Sequence, residues 1–552
     1  MSRIRYGASL LGVALMFVCG CSDTSSSGQP VVKRPPVQHN HVEPSLQALV
    51  KNHTPPKTVV MNNGVEPSKP VGVPSDNLRP SADTSAGISA ADADDPDAQV
   101  NPDMYRARKR IAGEIAEALK LRKTLVVWII DKTNMSADVR NWAVGRISRI
   151  TAEATKLASE SGKAAPLAMA IVAYGSNVNF LNNEPIDPAQ AESLAGALPS
   201  ESEAFPQTFA AVDEAADKFL PYRSQGYEMM FVVVANSTGK DWARLDAAIP
   251  KLRRKAVPVF GIGNAVPFYR QWHAEPLGGG PPANLILASG GLESIDMALP
   301  EGQGDSDLND SGYGPWGLER LCRQTQGAYL RFRNGSTSAG WALEGDGTIS
   351  QEMRHRYAPD YVSPQEYQSL LSSNRAYQAL HNAAQLPRAE QVVAYLTSRF
   401  TRPTEKQGGE AALSKKVSQA QMKAAEKSPE VDRIYEALVG GQADRAKITS
   451  PRWQAEFDLA MGRILAAKAR IDGYNAQLAV IKQGKAFKDP KEHDTWVLHP
   501  SDSISAGSAL DKMAKQSQMY LNRVINEHPG TPWAEMARRE LEMLPGWAWT
   551  EE

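Results

Sequence analysis

Residues 124–136 read TLVVWIIDKTNMS, and the fold turns on them. Leu125–Ile130 is an unbroken apolar run, rich in β-branched side chains and too short for a buried helix, so it reads as a strand. A strand that is apolar on both faces belongs inside a parallel sheet covered by helices. The run ends in Asp131, and Lys132–Ser136 turns polar. A carboxylate and a hydroxyl at the carboxyl end of a buried strand lie where open α/β sheets take ligands. Oxygen donors in that position suit a hard divalent cation.

Outward from this strand the pattern alternates. Ile111, Ile115 and Leu119 recur at helical spacing within 104–121, and a second helix is expected over 137–161, burying Trp142, Ile147, Ile150 and Leu157. Strands follow at 166–174, 228–235, 256–262 and 328–333, separated by helices at 206–220, 241–254 and 317–326. This order predicts an α/β domain over 104–340: a doubly wound, mostly parallel sheet with helices on both faces. Residues 264–317, rich in Gly, Pro and Asp, are too long for an ordinary connection and read as an insertion. Within it, Asp305, Asp307, Asn309 and Asp310 read as a polar surface loop. After a connector at 341–363 the strand signal fades, and 364–552 is expected to be an all-α domain with helices over 364–386, 387–400, 410–440, 451–480 and 509–549. Near its end Gly530 reads as a helix stop, Thr531 as a cap and Pro532 as a first helical residue.

The amino-terminal residues read as an address. Arg3 and Arg5 precede a short apolar core, Leu10–Val18, and then Val18-Cys19-Gly20-Cys21. This is the pattern of a secretory signal. Its end resembles a bacterial lipobox, which implies cleavage before Cys21 and a lipid on Cys21. Ser22 after it favours the outer membrane of a Gram-negative cell. The apolar core is shorter than the ~20 residues of a spanning helix. Cys19, Cys21 and Cys322 are the only cysteines, so a lipidated chain would carry no internal disulfide. Residues 22–103 are poor in aromatics and rich in Ser, Pro, Asp, Asn and Gly, the composition of a disordered tether. A flexible chain of that length has an r.m.s. span of about 50 Å. The acidic run ISAADADDPD (88–97) reads as solvated linker. A net charge of -1 argues against a nucleic-acid partner.

Four local matches, in order, carry a resemblance to von Willebrand factor A (VWA) domains over 122–335. Asp131-x-Thr133-x-Met135 resembles the opening Asp-x-Ser-x-Ser of that family's metal-dependent adhesion site. AIVAYGSNVNF (170–180), FPQTFAAVDEAADKFL (205–220), and MMFVVVANSTGKD with AVPVFGIG resemble its later strands and its threonine loop. The resemblance implies metal ligation by Asp131, Thr133 and Thr208. It also implies a degenerate site: Met135 stands where the second Ser belongs, a soft donor unsuited to magnesium or calcium. Asn236 stands in place of the Asp of Thr-Asp-Gly. Ser136 is one residue out of register with the missing ligand, and the Lys132 ammonium is placed to reach over the site.

The expectation is therefore a lipid-anchored envelope protein that binds another envelope or extracellular protein through its VWA-like and helical domains, without strong dependence on magnesium or calcium. A metal-dependent adhesin is the alternative. An envelope hydrolase using 264–317 as a lid is a further one, but no Gly-x-Ser-x-Gly elbow, His-Glu-x-x-His or phosphate-binding Gly-Lys-Ser/Thr motif supports catalysis. His39 and His41 fall in the tether, His355 reads as a surface residue, and Cys322 reads as a buried structural thiol.

Overall fold

The computed structural model describes residues 95–162, 164–202, 206–237, 241, 244–266, 293, 311–332, 341, 349–386, 396–505 and 507–552. The expectations for the signal segment, Cys21, most of the tether and most of the 264–317 insertion lie outside the described residues. All described residues belong to one compact unit, Pro74–Glu552.

The first half is built on a six-stranded sheet in the order β3-β2-β1-β4-β5-β6. Its strands are β1 (Thr124–Asp131), β2 (Leu167–Tyr174), β3 (Val178–Phe180), β4 (Glu228–Val234), β5 (Val259–Asn264) and β6 (Tyr329–Phe332). β1 pairs in parallel with both β2 and β4, β4 with β5 and β5 with β6; β3 alone is antiparallel. Every residue of β1 is buried, as a central strand between two helical layers must be. Alternate side chains serve opposite layers. Val126, Trp128 and Ile130 pack with Ile111, Ile115, Ile147 and Ile150 from the helices Pro102–Leu121 and Ile147–Glu160. Leu125, Val127 and Ile129 pack with Phe209, Val212, Leu252 and Leu321 from the helices Thr208–Phe219, Leu245–Arg254 and Trp316–Gln324.

Three details differ from the sequence reading. The single helix expected over 137–161 is two, Ala137–Val144 and Ile147–Glu160, broken at Gly145-Arg146. The antiparallel β3 and the short helix Pro188–Gly196 were not expected. The acidic linker is folded at its end: Asp95 caps the helix Pro96–Val100, and Asn101 caps the helix Pro102–Leu121. Asp97, only 1% exposed at its side chain, pairs with Arg108 (2.9 Å), Arg146 (2.6 Å) and Arg149 (3.3 Å). Asp95 pairs with Arg108 (2.5 Å) and Arg149 (2.8 Å). Burial among three arginines replaces solvation as the environment of these carboxylates.

The second half is helix-rich. The long helices Gly409–Val439 and Pro451–Lys482 are joined by Ser508–Glu527 and Pro532–Glu542. Pro451–Lys482 is apolar around much of its circumference, because it is packed on several sides at once. Thr531 caps the last helix through Ala534 N, Pro532 opens it, and Gly530 takes a left-handed φ of 72°, as the sequence predicts. The all-α expectation needs correcting, because a three-stranded antiparallel sheet forms from β7 (Arg399–Thr401), β8 (Thr495–Ser501) and β9 (Gly546–Glu551). GWAWTE is an edge strand whose Trp547 packs with Tyr474 on the long helix.

The two halves share packing. Tyr313 and Trp341, which flank the last strand of the first sheet, join Tyr357, Leu459, Val524 and Trp533 in one apolar cluster. Glu293 ties the same region together, accepting from Trp316 Nε1 (2.9 Å), Asp360 N (2.8 Å) and Val362 N (3.2 Å).

Candidate functional site

The carboxyl ends of β1, β2 and β4 place the predicted residues side by side. Asp131 closes β1 and is fully buried. Its Oδ1 accepts from Thr133 N (2.8 Å) and its Oδ2 from Ser136 Oγ (2.6 Å). Residues 134–136 form a single 3-10 turn, and that turn decides which side chain faces Asp131. It brings Ser136 inward, buried, and leaves Met135 62% exposed. The hydroxyl that faces Asp131 is therefore that of Ser136, and position 135 points outward.

Tyr174, at the end of β2, forms the floor. Its buried phenol lies against the Thr208 side chain and within the fields of Asp131 and Asp241; burial, then Asp131, push its ionisation well above the usual phenol range. Thr208 opens the helix Thr208–Phe219 and is itself fully buried. Asp241 supplies a carboxylate that the sequence reading missed. Its Oδ2 accepts from Ala210 N (2.6 Å) at the start of that helix, and its Oδ1 is buried without a hydrogen-bond partner. Burial raises the carboxyl pKa of both Asp131 and Asp241, opposed at Asp131 by the Ser136 and Thr133 hydrogen bonds and at Asp241 by backbone amides.

Asn236, expected to line the site, lies beside it at the end of β4. Its side chain braces the loops: Nδ2 donates to Met135 O (3.0 Å) and Asp138 Oδ1 (2.9 Å), and Oδ1 accepts from Asn264 N (2.8 Å). Its backbone N donates to Ser136 Oγ (3.0 Å), so that hydroxyl is held from both sides. Lys132 does not reach over Asp131. It turns to Glu201, with Nζ 3.1 Å from Oε2, and Glu201 Oε1 also accepts from Ser176 Oγ (2.5 Å). Beneath the loop, Arg140 Nη1 donates to the carbonyls of Asp131 (3.1 Å) and Thr133 (2.9 Å). A side chain at Gly175 would collide with Glu201 and Lys132, so glycine there keeps the rim open to that ion pair.

The donor set around Tyr174 is thus two carboxylates and three hydroxyls: Asp131, Asp241, Thr133, Ser136 and Thr208. Of the oxygens here, Asp241 Oδ1 is buried with no hydrogen-bond partner, whereas the Thr133 side chain is held by Asp131 and the Tyr174 phenol by Thr208. Such an atom is costly without a partner, and a hard cation takes oxygen donors of this kind. Among the described residues no group of three or more His, Cys, Asp or Glu side chains is placed to hold a metal, so hydroxyls must complete any coordination here. Cys322, on the helix Trp316–Gln324, is buried beneath Gly261, and burial pushes its thiol pKa well up.

No protein-family model and no curated protein matches the chain. Among solved structures it is similar to the conserved hypothetical protein BatB from Bacteroides thetaiotaomicron, at 14% identity and a TM-score of 0.24, covering 39% of this chain and 92% of that one.

Proposed function

We propose that this chain is a VWA-like binding protein of a bacterial envelope, anchored by a lipid on Cys21. On this reading it grips another protein at the carboxyl end of its six-stranded sheet, through a divalent cation seated among Asp131, Thr133, Ser136, Thr208 and Asp241. The helical half offers a second contact surface, and the chain acts by binding rather than by catalysis. The observation that carries the reading is Asp241. With it the site has a second carboxylate, and with Ser136 it has the hydroxyl that Met135 lacks. On this reading the oxygen count and charge of the site suit magnesium or calcium. Bound there, the cation would supply an open coordination position for an acidic group of the partner. The chain's own residues hold the loop, exclude water from below and leave Met135 at the rim as an apolar contact.

Terbium luminescence excited through tyrosine, with competition by magnesium, calcium and manganese, tests the site. Binding at millimolar or tighter concentration that is lost in Asp131→Ala and weakened in Asp241→Asn is expected. No binding by the wild type, or binding indifferent to both substitutions, would sink the cation reading. Cross-linking in detergent-solubilised envelope, with magnesium or with chelator, then tests whether partner capture follows the cation.

A further inference from the structure

We propose that Arg140 is a resident counter-charge for the 131–136 loop, holding that loop in its ligand-bearing shape while no cation is bound. The inference rests on the cation reading above. Arg140 is 4% exposed and lies on the helix Ala137–Val144, immediately after the loop. Its Nη1 bridges the carbonyls of Asp131 (3.1 Å) and Thr133 (2.9 Å), and its Nη2 donates to Ser200 Oγ (2.7 Å). The carbonyl between them, on Lys132, accepts from Glu201 N (2.9 Å), and Lys132 N donates to Tyr174 O (2.8 Å). Three consecutive carbonyls are thus tied down, and the Asp131 and Thr133 side chains are left at the site. The guanidinium also places a fixed positive charge in the field of Asp131.

A divalent cation would do two things here: neutralise Asp131 and draw the loop oxygens together. Arg140 does both from below. Its planar guanidinium fork holds three acceptors at once, the two carbonyls through Nη1 and Ser200 through Nη2, a rigid set that a lysine ammonium on its flexible stem does not reproduce. The two positive charges also repel. The site therefore stays formed without its cation and binds the cation more weakly than its donors alone would allow. A merely structural arginine predicts the opposite result on removal: a looser loop and weaker cation binding.

Two variants separate these cases. Arg140→Gln removes the charge and keeps a donor; Arg140→Lys keeps the charge and loses the fork. We expect Arg140→Gln to bind terbium about fivefold to tenfold more tightly than wild type, the order expected for removing one charge several ångströms away in a partly wet site. Its cation-free melting temperature should fall, and millimolar magnesium should restore most of the loss. Arg140→Lys should bind terbium no more tightly than wild type and melt between the other two without cation. Unchanged or weaker terbium binding by a folded Arg140→Gln overturns the proposal, as does a melting loss that magnesium leaves in place. If Arg140→Gln does not fold, tighter binding by Arg140→Lys overturns it, and binding at or below wild-type strength with a folded cation-free state upholds it. Wild type that binds no terbium overturns the cation reading and this inference together; wild type that binds, with unaltered variants, overturns this inference alone.

Discussion

Lowering the pH from neutral to 4 should withdraw about 3 kcal/mol of stability through one side chain, His528. This residue ends the helix Ser508–Glu527 and is 1% exposed. Its Nδ1 lies 3.1 Å from Tyr357 Oη, and its Nε2 is buried with no partner. Around it Tyr357 stacks on Trp533, and Trp341 meets both rings edge-on. Burial pushes the imidazole pKa from 6.5 down to about 4; the Glu527 charge pulls it up, and Arg445 and Arg356 press it down. The unfolded chain therefore takes up the proton first. The contribution is complete above pH 6.5 and is lost as pH falls toward 4. At about 1.4 kcal/mol per pH unit, that gap gives the ~3 kcal/mol stated. Urea unfolding followed by tryptophan fluorescence, at pH steps from 7 to 4, measures it in wild type against His528→Gln. Glutamine preserves a hydrogen bond to Tyr357 and does not titrate, and the carboxylates titrate equally in both proteins. The difference between the two free energies should close by about 3 kcal/mol across this range. Parallel pH curves would refute the reasoning.

Three other outcomes are expected. Asp97→Ala should destabilise the protein by about 2 kcal/mol in denaturant titration, because Arg108 keeps Asp95 and Glu153 but loses one charge-assisted hydrogen bond, as do Arg146 and Arg149. Thr531→Ala should cost about 1 kcal/mol by the same assay, the loss of one helix cap. Ser136→Ala should weaken terbium binding whereas Met135→Ser should not strengthen it, since the 3-10 turn aims position 136 and not 135 at Asp131.

The strands of the first sheet were legible because continuous apolar runs such as Leu125–Ile130 admit few other structures. The site was legible in part. Asp131, Thr133 and Thr208 fall where strand and helix ends put them. Ser136 was harder, because the 3-10 turn decides which side chain meets Asp131 and leaves no mark on the spacing. Asp241 was missed because Asn236 lies nearest the end of β4; the carboxylate comes from farther along the loop and is recognisable only from its bond to Ala210 N. The strands β7, β8 and β9 were missed for another reason. They are short, they lie among long helices, and their pairing joins residues near 400, 497 and 550, which no local pattern reveals. Asp95 and Asp97 look like any solvated acidic run until Arg146 and Arg149, some fifty residues later, are brought against them.

Those arginines also set how the molecule bears a load. Arg146 precedes a helix that runs back from the carboxyl end of the sheet, and Asp95 and Asp97 are fastened there. The first described residues thus lie at the same end of the sheet as the candidate site. Tension between a partner held at Asp131 and the amino-terminal chain would pass through the ion pairs and the first turns of two helices. It would bypass the length of the sheet, so the hydrogen-bond ladders of β1, β2 and β4 would not be sheared. The arginine clasp would carry that load, and because Asp97 is buried within it, added salt should weaken it far less than it weakens exposed ion pairs.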